Sequence, residues 1–316
     1  MKALITTIPF GKNSSKPLDV LTRAGIEYTI NPLNKKLTEE ELASILTDYD
    51  ILIAGTETIS DYVLDNGTKL KFISRVGVGT DNIDIPSARK RGIKISYTPN
   101  EPIKPVAELT VGLIISTLRM TFLSNMKMHN YLWERYIGKT LSDCIIGIVG
   151  SGKIGTQVIR LISAFQPKKI LVYDIKPKNN LGSNDLVEYS DFDSLIKNAD
   201  VISLHVPLTA HTKNMIGLKE LHSMKKDCII VNTSRGGVIN ESDLYKVMKN
   251  GHLMGVALDV FEKEPYSGQL CEIENCFLTA HTGTMTTDCR INMELSACEE
   301  AVRFVNDQNL KFEFLE

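Results

Sequence analysis

The stretch "CIIGIVGSGKIG", residues 144–155, restricts the fold more than any other part of the chain. An apolar run of strand character ends in G-x-G-x-x-G (Gly150, Gly152, Gly155). Apolar residues Ile154, Val158, Leu161, Ile162 and Phe165 then recur at helical spacing. The next apolar run, "KILVYD", ends in Asp174, nineteen residues after Gly155. Each part has a physical task. Gly150 permits a tight turn, Gly152 lets the backbone approach a pyrophosphate, and Gly155 brings helix and strand together. Free N–H groups at the helix start face the anion. Asp174 can accept hydrogen bonds from both ribose hydroxyls and would repel a 2′-phosphate, so the expected cofactor is NAD. Lys176, two positions on, leaves NADP as the alternative. The bland reading is a glycine-rich turn with a chance aspartate, and the flanking strand and helix weaken it.

This unit sits inside a repeated β-α-β rhythm. Early apolar bursts "KALITTI", "DILIAG", "KFISRVG" and "IKISYT" are separated by helical stretches such as "TEEELASIL" and "IPSARKRG". The latter has Pro86 near its start and Gly92 just past its end. Repetition at this spacing predicts a parallel sheet with helices on both faces. Three prolines in "YTPNEPIKP" (Pro99, Pro102, Pro105) predict a crossover without regular structure. A long helix follows at "VAELTVGLIISTLRM", apolar nearly all round and so buried. A second series runs through "KILVYD", "DVISLHV", "CIIVNTS", "MGVALDV" and "CFLTA". One helix, roughly 285–307, ends the chain and belongs to neither series. It is expected to return to the first domain.

Charge and cysteine usage narrow the partners. The 316 residues carry 36 Lys+Arg against 38 Asp+Glu, a formal charge of −2. That balance argues against broad binding to nucleic acid or an anionic membrane. Six cysteines contain no C-x-x-C pair, so neither a disulfide framework nor a zinc site is expected. No metal is expected, and reduced thiols point to the cytoplasm. The N-terminal "MKALITTIPF" reads as a strand rather than a signal peptide. No apolar run reaches the roughly 18 residues of a membrane span.

A dinucleotide fold needs a reaction, and ligands bind outside the carboxyl ends of the strands. In "VNTSRGGVIN", Arg235 lies at such an end, pinned against Gly236 and Gly237. Glu264 in "DVFEKEP" and His281 in "LTAHTG" follow later strands. An arginine fork grips a carboxylate at two points. A histidine exchanges a proton near neutral pH, and a glutamate bonded to it would set its tautomer. Together they suit hydride transfer at a 2-hydroxy acid: Arg235 holds the carboxylate, His281 moves the hydroxyl proton, and Glu264 stabilises the imidazolium. The two glycines would let substrate and nicotinamide come close. Singly, Arg235 reads equally well as a surface ion-pair partner, Glu264 as a solvated loop charge and His281 as a strand-end cap.

In order along the chain, "SRVGVGTDNID", "PVAELTVGLI", "GIVGSGKIG", "HVPLTAHTKNMI", "VNTSRGGVINESDL", "GVALDVFEKEP" and "TAHTG" resemble the D-isomer-specific 2-hydroxyacid dehydrogenase family. The resemblance runs over nearly the full length. It implies two doubly wound α/β parallel-sheet domains: a Rossmann dinucleotide-binding domain, 103–284, and a smaller flavodoxin-like substrate domain, 1–102 plus 285–316. It places Arg235, Glu264 and His281 as the catalytic trio. The implied cofactor set is Gly150, Gly152, Lys153, Ile154, Gly155, Asp174, Val206, Pro207, Thr209, Thr233, Ser234, Asp259 and Gly283, with Asp259 on the nicotinamide carboxamide. The implied substrate set is Arg75, Val76, Gly77, Val78, Gly79, Arg235 and His281, the loop from Val76 offering N–H groups to the carboxylate. The resemblance also implies a homodimer joined through roughly Leu118 to Leu141. The segment "KPKNNLGSN" after Asp174 is unusually polar, and regulatory domains that some relatives append are expected to be absent.

Arg75, just ahead of "VGVG", supplies a cation beyond the catalytic trio. It points to a second anionic group on the substrate, with 3-phosphoglycerate the first candidate. The alternatives are an NADP-dependent glyoxylate or hydroxypyruvate reductase and a non-catalytic protein that senses NADH.

Overall fold

The computed structural model describes residues 1–177 and 186–315, which divide into two compact units. One joins Met1–Pro102 to Met285–Glu316, and the other runs Ile103–Thr284.

In the smaller unit, β1 (Lys2–Ile5), β2 (Glu27–Ile30), β3 (Ile51–Ala54), β4 (Phe72–Arg75) and β5 (Lys94–Tyr97) alternate with α1 (Lys16–Arg23), α2 (Glu39–Leu46), α3 (Asp61–Asn66) and α4 (Ile85–Lys90). All strand pairs are parallel, in the order β2-β1-β3-β4-β5. This is the flavodoxin-type order, whose switch point lies between the first and third strands. Local chemistry starts the helices. Thr38 accepts from the Glu41 N–H while the Glu41 side chain returns to the Thr38 N–H. Asp84 accepts from the Ser87 N–H ahead of α4, with Pro86 in the first turn.

The C-terminal helix, Thr287–Val305, packs on α1 and β4 of this unit. It buries Met293, Ala297, Cys298 and Ala301, and Phe304 stacks on Phe72 at 4.7 Å. The chain then runs along β5, where the Tyr97 N–H donates to Phe312 and the Phe314 N–H to Ile95. The otherwise open sheet edge is covered.

The larger unit holds α5 (Ile103–Leu118), α6 (Thr121–His129), β6 (Ile145–Val149), α7 (Lys153–Ser163), β7 (Lys169–Tyr173), β8 (Val187–Tyr189) and α8 (Phe192–Asn198). Then come β9 (Val201–Leu204), α9 (Leu218–Ser223), β10 (Ile229–Asn232), α10 (Glu241–Lys249), β11 (Gly255–Leu258) and β12 (Cys276–Leu278). Its seven parallel strands are ordered β12-β11-β10-β9-β6-β7-β8. Each face of the sheet carries its own apolar layer, and both are built from strands buried end to end, such as β9, β10 and β11. Two-sided burial is why those strands read as continuous apolar runs rather than alternating ones.

One expectation is corrected here. Pro105 lies in the first turn of α5, not in an irregular crossover. A first-turn N–H has no helical partner to lose, so the proline costs the helix little there. Among the described residues no single helix is long and apolar enough to cross a membrane.

Candidate active site

The switch point of the larger sheet falls between β6 and β9. Gly150 takes φ +97°, and a Cβ there would lie 2.6 Å from the His205 carbonyl oxygen. A Cβ on Gly155 would lie 2.0 Å from the carbonyl oxygen of Gly150. Internal packing alone demands those two glycines. Gly152 differs: it is the residue preceding α7, and a Cβ there would meet nothing within 4 Å. That open room beside the N–H groups of Lys153 and Ile154 fits a diphosphate.

Asp174 follows β7 with both oxygens engaged. One accepts from the Ser151 N–H (2.6 Å) and Oγ (2.9 Å), the other from the Lys176 N–H (2.8 Å). Ser151, fully buried, is a residue that motif reading passed over. Of the polar segment 176–184, residues 178–184 lie outside the described residues. Below the loop, His205 bonds the Ser203 hydroxyl at 2.9 Å, and burial pushes its imidazole down to about 4. Val206, Pro207 and Thr209 continue from there, with the Thr209 N–H held by Thr212 Oγ1 at 2.8 Å. Thr233 Oγ1 lies 2.8 Å from Thr110 Oγ1 of α5.

Three loops at the carboxyl ends of β10, β11 and β12 carry the expected trio. Asn232, 2% exposed, shapes the first loop. Its Oδ1 accepts from the N–H and Oγ of Ser234, and its Nδ2 donates to the Arg235 carbonyl. An asparagine two residues before a serine is an Asx-turn signal that the sequence did carry. The Arg235 Nη1 donates to the Ser234 carbonyl at 2.6 Å. A Cβ on Gly236 would lie 1.9 Å from the Phe261 carbonyl oxygen. The first glycine therefore serves contact between the Arg235 loop and the Glu264 loop, rather than the approach of a ligand.

Glu264 Oε1 accepts from the Phe261 N–H (3.1 Å), and Oε2 lies 2.8 Å from His281 Nδ1. One carboxylate oxygen is anchored and the other presented to the imidazole. Both side chains remain accessible, 44% for His281 and 32% for Glu264. With Nδ1 as the donor in this pair, Nε2 is left for proton exchange. His281 itself holds φ +51°, a left-handed conformation that histidine tolerates better than most residues.

Asp259, 1% exposed, accounts for that conformation. Its Oδ1 accepts from Thr279 Oγ1 (2.6 Å) and from the N–H (2.7 Å) and Oγ1 (3.1 Å) of Thr282. Its Oδ2 accepts from the Gly283 N–H (2.9 Å). Among the described residues all these donors flank His281, so the carboxylate expected on a nicotinamide carboxamide staples the histidine loop.

The loop Val76–Gly79 belongs to the smaller unit. The Val76 N–H donates to the Ala54 carbonyl (2.9 Å) and the Gly77 N–H to Thr98 Oγ1 (2.7 Å). Val78 and Gly79 are the two whose N–H groups have no acceptor among the described residues. Arg75 precedes this loop. It is 8% exposed, with its guanidinium on the Val76 carbonyl and on Asn82 Oδ1, so it braces its own loop.

Residues 111–283 match the family described as "D-isomer specific 2-hydroxyacid dehydrogenase, NAD binding domain". A hydroxypyruvate reductase of Thermotoga maritima is 37% identical over 297 residues, 91% of this chain and 94% of that protein. A D-3-phosphoglycerate dehydrogenase of Methanocaldococcus jannaschii is 38% identical over 260 residues, 80% of this chain but 49% of that protein. The crystal structure of the TT0316 protein from Thermus thermophilus matches over 100% of both chains with a TM-score of 0.90 at 28% identity. The chain belongs to the D-isomer specific 2-hydroxyacid dehydrogenases, NAD-dependent oxidoreductases, and its larger unit carries their NAD binding domain.

Proposed function

We propose that Arg235, Glu264 and His281 interconvert a short D-2-hydroxy acid and its 2-oxo acid. The observation that carries this reading is the Glu264–His281 pair, held at 2.8 Å with the second glutamate oxygen fixed by a backbone N–H. Bound NAD supplies the hydride acceptor, or NADH the donor. His281 Nε2 takes the hydroxyl proton during oxidation and returns it during reduction, and Glu264 stabilises the imidazolium between. The Arg235 fork grips the carboxylate and polarises the reacting oxygen. The smaller unit is the substrate domain, and its Val76–Gly79 loop keeps the Val78 and Gly79 N–H groups available as donors. In the larger unit, the N–H groups of Lys153 and Ile154 receive the diphosphate and Asp174 the adenosine ribose. Val206, Pro207, Thr209, Thr233, Ser234 and Gly283 line the remainder.

The protein works as a homodimer in the cytoplasm. Tyr131 is 99% exposed, Ile137 97% and Trp133 75%, beside the half-exposed Met126, Met128 and Leu132. An apolar stretch this open asks for a cover, here a second copy. Six unpaired thiols suit a reducing compartment.

The test is loss of NADH or NADPH absorbance on adding a panel of 2-oxo acids, hydroxypyruvate, glyoxylate and the oxidised form of 3-phosphoglycerate among them. His281→Gln should lower kcat by about 10² to 10⁴ while NADH binding persists. Turnover within a few-fold of wild type would remove His281 as the acid–base. Failure of every acid with both cofactors would leave an NADH sensor.

A further inference from the structure

Arg235 and Glu264 stand on different loops of the larger unit, after β10 and β11. Between them lies the peptide joining Phe261 to Glu262. Gly236 packs on it, where a Cβ would come 1.9 Å from the Phe261 carbonyl oxygen and 2.5 Å from the Glu262 nitrogen. Contact alone lets two backbones slide past one another. Hydrogen bonds on either side hold this one. The Phe261 N–H donates to Glu264 Oε1 (3.1 Å). The next N–H, that of Glu262, donates to Oε1 of Glu241 (2.5 Å), the first residue of α10. Glu262 returns the bond, its Oε1 accepting from the Glu241 N–H (3.2 Å). That N–H has no partner within its own helix, so another loop supplies one. Asn240 already caps α10 through the Asp243 N–H (3.0 Å), which leaves the Glu241 side chain to reach outward. Burial pushes the Glu241 carboxyl up, the Glu262 N–H pulls it down, and the charges of Glu262 and Glu264 push it up again. Its reach toward Glu264 is therefore electrostatic as well as geometric. Glu241, the Phe261 turn, Glu264 and His281 form one hydrogen-bonded line.

We propose that Glu241 and Glu262 are positioning residues whose reciprocal bonds hold the Arg235 loop against the Glu264 loop; this rests on the dehydrogenase reading above. The arginine fork then stays in register with the Glu264–His281 pair. Neither glutamate moves a proton in the reaction. Their contribution is placement, and a misplacement of about 1 Å can cost on the order of a hundredfold in rate.

The experiment measures kcat and KM with NADH for the 2-oxo acid that wild type reduces fastest, and NADH affinity by fluorescence titration. The variants are Glu241→Ala, Glu241→Gln, Glu262→Ala and the double alanine. Each single alanine should lower kcat about tenfold and leave NADH affinity within about twofold of wild type. Glu241→Gln should return kcat to within about threefold of wild type, because the carboxamide oxygen still accepts from the Glu262 N–H. The double variant should lose little more than either single one, since either change breaks the pair. Should Glu241→Ala not fold, Glu241→Asp, its carboxylate drawn back by one methylene, carries the same expectation. A kcat that survives the alanine changes overturns the proposal, as does a glutamine no better than alanine. Parallel losses of kcat and NADH affinity also overturn it, being the mark of a merely structural role. A wild type inert to every acid, or a His281→Gln variant with wild-type kcat, removes the dehydrogenase reading itself.

Discussion

Arg235 is the side chain whose chemistry is hardest to replace. Asn232 fixes its backbone, so its fork leaves β10 in one direction. A lysine keeps the charge but not the planar two-point grip. Arg235→Lys should lose about 2–3 kcal/mol in kcat/KM, the upper end of what a charge-assisted hydrogen bond contributes. Near-normal kcat/KM would end its anchoring role. His205 makes a different claim, about pH. Burial holds its imidazole near 4 in the folded protein, against 6.5 as the ordinary value. Below 6.5 the unfolded chain therefore binds a proton that the folded protein refuses. Stability present above that pH falls as pH drops toward 4. The residue as a whole keeps intermediate exposure, so between pH 7 and pH 5 we expect roughly 1 kcal/mol rather than the full linkage value. Unfolding free energies at pH 7 and pH 5 should show this loss in wild type and a smaller one in His205→Asn. Equal losses would assign the effect elsewhere.

Between elements, the decisive contacts are backbone against backbone. Gly236 allows the loop after β10 to lie on the Phe261–Glu262 peptide, where a Cβ would meet the Phe261 carbonyl oxygen at 1.9 Å. Neither backbone can yield as a flexible side chain would. Gly236→Ala should therefore cost about 1–3 kcal/mol of stability, as overpacking does, and should also lower kcat by separating Arg235 from Glu264. Thermal unfolding and steady-state rates check both, and an alanine variant with wild-type Tm and kcat contradicts the packing argument. The elements themselves were largely legible. The final helix, expected over 285–307, spans Thr287–Val305, because its caps lie close to the ends of its periodic pattern. Pro105 was misleading, since composition counts prolines while a helix cares only where in its turns they fall.

For the molecule as a whole, parallel pairing goes with helical connections such as β1-α1-β2, β6-α7-β7 and β9-α9-β10. The exposed apolar stretch from Met126 to Ile137 has no such internal explanation. If it joins two copies, Trp133→Glu should convert a dimer to a monomer in sedimentation velocity while leaving NADH binding in place. A wild-type protein that already sediments as a monomer rules the assignment out.

The sequence by itself determined the two parallel sheets and the nucleotide loop, because glycine spacing and apolar periodicity are short-range properties of a chain, and it pointed to the glutamate and histidine that the fold brings to 2.8 Å. Tertiary structure alone decided what the other polar groups face. Asp259 meets four donors from a loop beyond the next strand, Arg75 turns back onto its own loop, and Glu57 accepts from Thr6, fifty-one residues earlier. A buried carboxylate is defined by which donors reach it, and those donors come from loops that only the folded sheets bring to one end.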